Sequence, residues 1–456
     1  MFVAHKYVDS WGKRTMTSVI TSPRRARFAR NWTSRLVAFG EFIDGYDLLV
    51  VGAAVLFLRP AFGLSAGEVG LVTASAFIGT ALGLLVFGDL SDRFGRRTIF
   101  MVNLVFFVVA SIGAAFVQEI WQLVLARFVL GVAVGMDIPT SHAFLTEIAP
   151  KARRGRIAGS LPNLMWLSGA IVSVLLALAL QPVFGNETWR WLFGLAAIPA
   201  AAVLVARQFL PESPRWLQAQ GRLEEAQQVY DALGLEPPKP EPEAPRNYRT
   251  LVAGGAWRRL AAVTAFFAVQ AFGGAVATVA GPLIISSIGI GVSNTLHFSL
   301  LGFVMGLIAV SLGSLIIDKV NRRWLGVWTC LGVFVAGVGI SITGRHPGIG
   351  LVICWAAYAT LTWLGPGVLS WVWSTEAFPT ALRGLGSGIA QCVTRLAIAL
   401  NVFLVPTLLQ KYGITVVAWY AGAFLISALI VVASPWLATT GVELEDVVAS
   451  REAETG

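Results

Sequence analysis

Charged residues are scarce in this sequence. They make up 13% of the 456 residues, while hydrophobic residues make up 56%; in a typical soluble domain about 25% of the residues are charged. Apolar runs long enough to cross a hydrocarbon core about 30 Å thick recur along nearly the whole chain. The scarcity of charge excludes a soluble enzyme, and the unbroken apolar runs favour membrane-spanning helices over a membrane β-barrel.

Cysteine and histidine are also rare. The three cysteines, Cys330, Cys354 and Cys392, all lie inside apolar runs, and an odd number without regular spacing supports neither a disulfide framework nor a metal site. The four histidines are scattered, so no nucleophile or metal cluster for a membrane enzyme is present. We therefore expect no enzyme activity, no metal and no organic cofactor.

The apolar windows between charge clusters and Gly/Pro interruptions predict twelve membrane spans. The basic N-terminal residues lack the apolar core of a secretory signal, so the first span is expected to stay in the protein. The spans are expected at about residues 34–58, 68–88, 98–117, 121–148, 157–183, 190–210, 258–287, 296–317, 324–343, 349–375, 384–409 and 414–435.

The basic residues predict the orientation of these spans. With the N-terminus inside, 28 of the 34 Lys and Arg residues fall on the inner side, four fall outside, and two, Arg127 and Arg395, lie within spans. This asymmetry predicts a multi-pass protein of the plasma (inner) membrane with both termini cytoplasmic. It also accounts for the net charge of +9, so binding to nucleic acid is not expected.

The chain divides into two halves joined by a long inner loop. The loop contains the sequence PESPRW, a helical stretch that ends near Leu233, and a Pro-rich segment, which together predict a surface helix followed by an extended linker. The predicted organisation is a cytoplasmic tail over 1–33, a six-helix bundle over 34–210, a cytoplasmic linker over 211–257, a second six-helix bundle over 258–435, and a cytoplasmic tail over 436–456.

Two motifs recur in both halves. Asp92 and Asp318, each followed by an arginine-rich run, are 226 residues apart, and Glu147 and Glu376 are 229 apart. Each glutamate is followed by proline, arginine and glycine at the same spacing. Two motifs with nearly one offset, in halves of the same orientation, predict a parallel repeat of two six-helix bundles.

These motifs resemble those of the major facilitator superfamily. The run from Gly88 to Arg97 reads G-x-x-x-D-R-x-G-R-R, which is similar to the loop signature of that family. Gly45-Tyr46-Asp47, the PESPRW sequence and EAFPTALRG at 376–384 resemble the sugar porter branch and its organic-ion relatives. The resemblance implies an all-α membrane protein of twelve helices, a small-molecule substrate that moves by alternating access, and a monomer surrounded by membrane lipids.

The sequence departs from sugar porters where that branch holds its sugar. Asn163 stands near the place of the branch's fifth-span glutamine, and the seventh-span Gln-Gln motif is reduced to Gln270. Asp44-Gly45-Tyr46-Asp47 resembles the paired-aspartate motif of aromatic acid/proton symporters, and Arg395 stands where organic anion transporters tend to carry an arginine. We therefore expect a proton-coupled symporter of an organic or aromatic carboxylate; the alternative is a proton-coupled sugar or polyol symporter.

Charges inside spans point to proton coupling, because each costs roughly 2.5–3.5 kcal/mol to insert. Asp47 and Arg127 are expected at similar depth in the outer half, where a carboxylate can exchange its guanidinium partner for a proton. A static ion pair is the alternative. Asp44 lies on the same face of the first span and fits either coupling or structure. Glu41, one turn further inward, is expected either to line the same aqueous side as Asp44 and Asp47 or to extend towards the inner interface.

A substrate site is expected near the membrane midplane between the bundles. Arg395 is well placed there to anchor an anion, unless it pairs with an acidic side chain of the other bundle. Polar and aromatic side chains of neighbouring spans are expected to complete the pocket, although packing roles are the alternative for each. These side chains are Gln270, Asn163, Trp166, Trp371 and Gln391.

Two further groups of residues complete the expectations. Asp137 and His142 lie in the inner half of the fourth span, where the histidine is expected either to relay protons or to be hydrogen-bonded in the core. The repeated motifs at the inner ends of the spans are expected to latch the bundles together when the carrier faces outward; a solvated basic cluster is the alternative. The latch residues are Asp92, Arg93, Arg96, Arg97, Glu147, Arg154, Asp318, Arg322, Arg323, Glu376 and Arg383.

Overall fold

The protein is helical throughout the part that is described. The computed structural model describes residues 23–148, 161–235, 237, 256–317, 319–376 and 383–437, and every regular element within these ranges is a helix. The inner end of the molecule is the end at which the first helix begins, and the outer end is the end at which it finishes. The distribution of basic residues predicts that the inner end is cytoplasmic.

The first bundle contains six crossings. Ser65 and Glu68 form a capping box that starts its second helix, with the Ser65 backbone N–H donating to Glu68 Oε2 at 2.9 Å. The last crossing is assembled from two short helices. The helices are α1 (Pro23–Phe62), α2 (Ala66–Phe94), α3 (Arg96–Ala115), α4 (Ile120–Ile148), α5 (Leu161–Phe184), α6 (Thr188–Leu195) and α7 (Ala197–Arg207).

Two short helices, α8 (Pro214–Ala219) and α9 (Leu223–Leu233), follow α7 at the inner end. Ser213 caps α8 by accepting the Trp216 backbone N–H at 3.1 Å, and Pro214 occupies the first helical position, where no N–H is needed. Arg30 of α1 donates to the carbonyl oxygen of Leu233 at 3.2 Å. The inner extension of α1 therefore holds α9 against the first bundle.

The second bundle contains the remaining six crossings, two of which are interrupted. A 3₁₀ turn (Ala275–Ala277) follows α10, and a π turn (Trp363–Gly367) containing Pro366 follows α14; proline has no N–H to donate, which favours such a break. The helices are α10 (Ala256–Gly274), α11 (Gly281–Ser287), α12 (Val292–Ile316), α13 (Arg322–Thr343), α14 (Ile349–Thr362), α15 (Val368–Glu376), α16 (Arg383–Tyr412) and α17 (Val416–Ala433).

The lengths of these helices agree with twelve membrane crossings. Nine stretches of the described chain are long and apolar enough to cross a membrane. Two of them, Leu161–Arg207 and Gly386–Ala433, are 47 and 48 residues long, so each holds two crossings of about 20 residues. Helix α1, which is 40 residues long, adds the twelfth. The predicted all-α membrane fold is confirmed.

The two bundles pack against each other through α2 with α16 and α5 with α12. At Gly70 of α2 a Cβ would overlap the carbonyl oxygen of Phe403 in α16, so the two backbones approach as closely as glycine allows. Thr73, one turn further along α2, donates to the Val402 carbonyl oxygen at 3.2 Å. These contacts lie near the outer end, so the bundles are closed against each other there.

Candidate functional site

Asp47 of α1 and Arg127 of α4 form a fully buried ion pair. Arg127 Nη1 donates to Asp47 Oδ2 at 2.7 Å, and both side chains have an exposed fraction of 0%. Asp47 and Arg127 are 80 residues apart in sequence. Helices α1 and α4 thus bring together the pair that we expected from the similar depth of these two residues. Removing either charge from an ion pair this deeply buried strongly destabilises the folded protein, because the other charge would remain buried without compensation.

The surroundings leave this pair incompletely hydrogen-bonded. Asp47 Oδ1 and two guanidinium nitrogens of Arg127 have no hydrogen-bond partner. The Arg127 guanidinium carbon lies 5.3 Å from the centre of the Phe193 ring in α6, which provides a cation–π contact. The neighbouring Tyr46 donates its hydroxyl to the Leu192 carbonyl oxygen at 2.8 Å. The pair therefore has spare hydrogen-bonding capacity in a site without bulk water.

A second buried ion pair lies in the inner half of the first bundle. Arg207 Nη1 of α7 donates to Asp137 Oδ1 of α4 at 2.8 Å, and Asn103 and Ser141 donate to the same carboxylate at 2.7 Å each. Arg207 Nη2 also donates to the Val37 carbonyl oxygen of α1 at 3.0 Å. This network joins α1, α3, α4 and α7.

Sequence reasoning missed Arg207. We counted it among the basic residues of the inner loop, because it stands near the end of its span, yet it is fully buried. Its guanidinium carbon lies 4.3 Å from the centre of the Phe100 ring. The intramembrane Asp137 was the available signal, since a buried carboxylate requires a partner, but the sequence did not identify which arginine supplies it.

Asp44 and Glu41 continue the acidic face of α1 towards the inner end. They are 3% and 5% exposed, and Asp44 Oδ2 and Glu41 Oε1 have no hydrogen-bond partner. The expectation that Glu41 extends to the inner interface is wrong, because its carboxylate faces His142 of α4 at 3.5 Å. Helix α1 thus carries three buried carboxylates on one face.

Arg395 of α16 faces this acidic region from the second bundle. It is 8% exposed, and its Nε has no hydrogen-bond partner. Its guanidinium interacts electrostatically with the carboxylates of Glu41 and Asp44. The Glu41 and Asp44 carboxylates thus contribute to the electrostatic environment of Arg395, and the role of Arg395 as an anchor for a substrate stays a prediction.

Of the neutral polar side chains considered for the site, Gln270, Gln391 and Asn401 belong to the second bundle and Asn163 to the first. Gln391 is 4% exposed and its Nε2 has no partner, while Gln270 Nε2 donates to the Phe267 carbonyl oxygen at 3.2 Å. Asn401, which we did not select from the sequence, donates Nδ2 to the Phe272 carbonyl oxygen at 2.6 Å and leaves Oδ1 without a partner. Asn163 lies in the first turn of α5 and is half-buried. Gln391 and Asn401 retain unused hydrogen-bonding groups.

Tryptophan side chains connect the two bundles next to these polar groups. Trp166 of α5 packs against Trp363 of the π turn, with ring centres 5.7 Å apart. Trp371 of α15 stacks on His142 of α4 at 4.8 Å and meets the edge of Phe267 at 5.9 Å. Both predicted tryptophans are therefore in contact with an aromatic ring of the other bundle.

The repeated motif of the first bundle forms a network at the inner end. Arg96 Nη1 donates to Asp92 at 2.6 Å, and its Nη2 lies 3.6 Å from Glu147. Arg97 donates to the Gln208 carbonyl oxygen at 2.6 Å, and Trp216 donates to the Asp92 carbonyl oxygen at 2.8 Å. Arg93 is exposed. These contacts tie α2, α3 and α4 to the loop that follows α7.

Glu212 of that loop caps α3. Its carboxylate accepts the backbone N–H of Arg96 at 2.9 Å and that of Arg97 at 3.2 Å, which satisfies two free donors at a helix N-terminus. Burial raises the pKa of Glu212 above its ordinary value, against the lowering effect of these hydrogen bonds. Ser213 donates its hydroxyl to Glu147, so the PESPRW sequence is an integral part of the network.

The matching motif of the second bundle is described only in part. Arg322 donates Nε to the Ile317 carbonyl oxygen at 3.3 Å, and Arg323 donates Nη2 to the Val432 carbonyl oxygen at 2.6 Å. Both of these hydrogen bonds lie within the second bundle. Arg154 and Asp318 lie outside the described residues, and only the backbone of Glu376 and Arg383 is described. The latch between the bundles therefore stays a prediction.

Within the described ranges, no group of three or more His, Cys, Asp or Glu side chains is arranged to hold a metal ion. The intramembrane site thus consists of ion pairs, neutral amides and aromatic rings. Such a set of groups is suited to binding protons and a hydrogen-bonding solute between two bundles.

Comparisons with known proteins agree with this architecture. The family model described as "Sugar (and other) transporter" matches residues 33–449. The D-xylose transporter of Levilactobacillus brevis is 28% identical over 441 residues, which cover 92% of this chain and 95% of that protein. The arabinose-proton symporter of Bacillus subtilis (strain 168) is 28% identical over 427 residues, covering 90% and 92% respectively.

A solved structure shares the fold. The partially occluded inward open conformation of the xylose transporter XylE from E. coli matches with a TM-score of 0.75 and 22% sequence identity, over 88% of this chain and 97% of that chain. This likeness confirms the major facilitator fold that the sequence motifs predict.

Proposed function

Because the chain belongs to the sugar (and other) transporter family, we propose that this multi-pass membrane transporter is a proton-coupled symporter of a neutral sugar or polyol. The substrate binds between the two bundles, and the site opens to each side of the membrane in turn. Both termini and the α8–α9 loop face the cytoplasm, and the inner-end networks act as the gate on that side. The protein is a transporter and not an enzyme.

The relatives support a sugar more than the carboxylate that we expected first. A D-xylose transporter and an arabinose-proton symporter each match about nine tenths of the chain. The charge distribution supports the same choice, because the buried carboxylates of Glu41 and Asp44 lie within electrostatic range of Arg395. An anionic substrate would have to compete with two buried carboxylates for one guanidinium, which is unfavourable at low dielectric.

A neutral polyhydroxylated solute fits the remaining groups. Gln391 Nε2 and Asn401 Oδ1 offer a free donor and a free acceptor, which are the groups that hydroxyls use. We place Gln270 and Asn163 in the same polar lining. Trp166 and Trp371, half-buried at the interface, provide apolar faces for the C–H surface of a sugar ring, since small-molecule sites combine aromatic walls with few polar groups.

The observation that carries proton coupling is the Asp47–Arg127 pair. At 2.7 Å and without solvent contact, the carboxylate has two stable states, one ionised against Arg127 and one protonated with the guanidinium released. The N–H groups on all three guanidinium nitrogens of Arg127 are then available to donate to carbonyl oxygens of α1, α4 or α6. Protonation of Asp47 thus changes how α1 is held to α4, and Asp44, one turn away, adds a carboxylate to the same face.

Replacing Asp47 with Asn tests this mechanism. In proteoliposomes with a pH gradient, the variant is expected to lose sugar accumulation against a concentration gradient while it retains sugar counterflow, because the amide mimics the protonated state. D-xylose, L-arabinose, D-glucose, a polyol and two aromatic carboxylates serve as substrates. Glu187→Gln, which alters an exposed ion pair at the outer end, is the matched control and is expected to accumulate sugar normally.

Two results would contradict the proposal. Undiminished accumulation by the Asp47→Asn variant would remove Asp47 from coupling. Accumulation of a carboxylate by the wild-type protein, with no sugar or polyol accumulated, would restore the first expectation from the sequence.

A further inference from the structure

Glu41 and His142 form a close pair that the coupling mechanism above does not use. Glu41 Oε1 lies 3.5 Å from His142 Nδ1, and the two side chains are 6% and 25% exposed. Glu41 lies six residues before Asp47 along α1, which is less than two helical turns or roughly 9 Å at 1.5 Å per residue. The Glu41–His142 pair is therefore separate from the Asp47–Arg127 pair and nearer to the inner end.

The hydrogen bonds of His142 leave one of its ring nitrogens open to a proton. Nδ1 lies 2.9 Å from the Ile138 carbonyl oxygen, and a carbonyl oxygen only accepts, so Nδ1 carries a hydrogen in that contact. Nε2 is then the unprotonated nitrogen of the neutral ring. A second proton on Nε2 would give an imidazolium next to the Glu41 carboxylate, which stabilises it.

The charges in the core of the first bundle favour a resident proton. Among the described residues, the buried carboxylates near this core are those of Glu41, Asp44, Asp47 and Asp137, and the buried guanidiniums are those of Arg127, Arg207 and Arg395. Four carboxylates face three cations, and an uncompensated charge at low dielectric is costly. One bound proton balances the set.

The charged groups that face the pair come from four helices. Asp44 and Glu41 itself belong to α1, Asp137 to α4, Arg207 to α7 and Arg395 to α16. Asp137 is already bound by Arg207 at 2.8 Å, and Asp47 by Arg127 at 2.7 Å. The carboxylates without a direct guanidinium partner are those of Glu41 and Asp44, and of these two Glu41 is the one in contact with a second titratable side chain.

Trp371 of the second bundle covers His142. The two rings are 4.8 Å apart between centres and 3° from parallel, and an aromatic face attracts an imidazolium more strongly than a neutral ring. Trp371 also packs against Phe267 of α10, so it moves with the second bundle. Separation of the bundles at the inner end would uncover the imidazole.

We propose that Glu41 and His142 are a second proton-binding site, which retains its proton while Trp371 covers His142 and releases it towards the inner side when the bundles part. The inference rests on the proposed proton-coupled transport. In the release step the N–H or O–H bond of the pair breaks, the electron pair stays on His142 Nε2 or Glu41, and the proton passes to inner water. The pair titrates as one unit.

Histidine NMR on the full-length protein in nanodiscs tests the site directly. The chain has four histidines, so ε1-¹³C labelling gives a tractable spectrum, and His142→Asn assigns the relevant signal. Glu41→Gln is expected to displace the titration midpoint of His142 by about one pH unit or more and to leave His297 and His346 unchanged. Glu68→Gln, an exposed capping carboxylate at the outer end, is the matched control.

Trp371 variants test the cover. Trp371→Ala is expected to displace the His142 titration, and Trp371→Phe, which keeps an aromatic face, is expected to restore most of the wild-type behaviour. If His142 titrates identically in the wild type, Glu41→Gln and Trp371→Ala, the pair does not bind a shared proton and the inference is overturned. This readout needs no transported substrate, so it stands even if the sugar assignment fails.

Counterflow of sugar in proteoliposomes provides a functional readout. At constant outer pH, the wild-type rate is expected to change with inner pH, and Glu41→Gln is expected to lose that dependence while Asp47→Asn keeps it. A purely structural role would lower the rate equally at every inner pH. Absence of any sugar transport by the wild type would count against the proposed function, whereas a normal inner-pH dependence in Glu41→Gln would count against the second site alone.

Discussion

The two bundles share a helical plan but divide the buried charges unequally. In the described part of the chain, the buried carboxylates Glu41, Asp44, Asp47 and Asp137 all belong to the first bundle. The second bundle contributes Arg395 near the midplane, together with neutral side chains such as Gln270, Gln391 and Asn401. The two halves of the internal repeat thus carry buried side chains of different chemical type.

This difference assigns different tasks to the two halves. Carboxylates paired with guanidiniums respond to pH, whereas amides and indoles offer hydrogen bonds and apolar faces to a solute. We infer that the first bundle handles protons and that the second holds most of the substrate. Arg395 connects the two regions, because its guanidinium belongs to the second bundle and interacts electrostatically with two carboxylates of the first.

The largest expected effect comes from removing a guanidinium inside the first bundle. Arg207→Gln leaves the Asp137 carboxylate buried with only Asn103 and Ser141 as donors. Breaking a buried pair in this way costs about 3–5 kcal/mol, so thermal unfolding followed by circular dichroism is expected to show a clearly lower Tm. The double variant Asp137→Asn/Arg207→Gln is expected to recover part of the loss, since no charge then lacks a partner.

The matched control for Arg207 is Arg222→Gln, which breaks an exposed pair with Glu225 in the loop region. Exposed pairs contribute about 0–1 kcal/mol, so its Tm is expected to stay near the wild-type value. Equal destabilisation by Arg207→Gln and Arg222→Gln would show that the buried network does not hold the first bundle together.

An intermediate effect is expected at the link between the bundles. Arg395→Gln removes the cation that faces Glu41 and Asp44, and sugar counterflow is expected to fall about tenfold, equivalent to 1.4 kcal/mol, without disappearing. A neutral sugar keeps its contacts with amides, whereas an anionic substrate would lose its anchor. Arg395→Lys, which keeps the charge, is expected to retain more activity. Complete loss of sugar counterflow in a folded Arg395→Gln protein would place the arginine in direct contact with the substrate.

The smallest effect is expected at the inner end, at Glu212. Burial raises the pKa of this carboxyl in the folded protein above its ordinary value of 4.5. Its contribution to the free energy of unfolding is therefore most favourable below pH 4.5 and declines as the pH rises through the folded pKa. The free energy of unfolding falls by about 1.4 kcal/mol for each unit by which the pKa of this carboxyl in the folded protein exceeds its pKa in the unfolded protein. Glu212→Gln is expected to lack this decline.

Comparing the unfolding free energies of wild type and Glu212→Gln at matched pH values isolates that one group, because other titrations cancel. A constant difference across the range would mean that the Glu212 pKa is the same in the folded and unfolded protein.

Several features could be predicted from the sequence because their signals are local. The Asp47–Arg127 pair follows from two intramembrane charges of opposite sign at similar depth, and the structure brings them to 2.7 Å. The π turn at Trp363–Gly367 likewise has a local cause, because it contains Pro366, which has no N–H to donate.

Other features could not be predicted, because they depend on which helix faces meet. Arg207 reads as one more basic residue near a loop, and only the packing of α7 against α4 makes it the partner of Asp137, 70 residues away. Glu41 reads as an interfacial side chain until α4 places His142 beside it. The sequence leaves the partner of Arg395 open between a substrate and a carboxylate of the other bundle for the same reason.

The sequence by itself determined that this chain lies in a membrane, that it crosses about twelve times, and that its second half repeats the first, because hydropathy, chain length and motif spacing act along the chain. The tertiary structure alone decided which buried charge neutralises which. The low dielectric of the interior makes each buried charge require a partner, and packing of distant helices selects that partner.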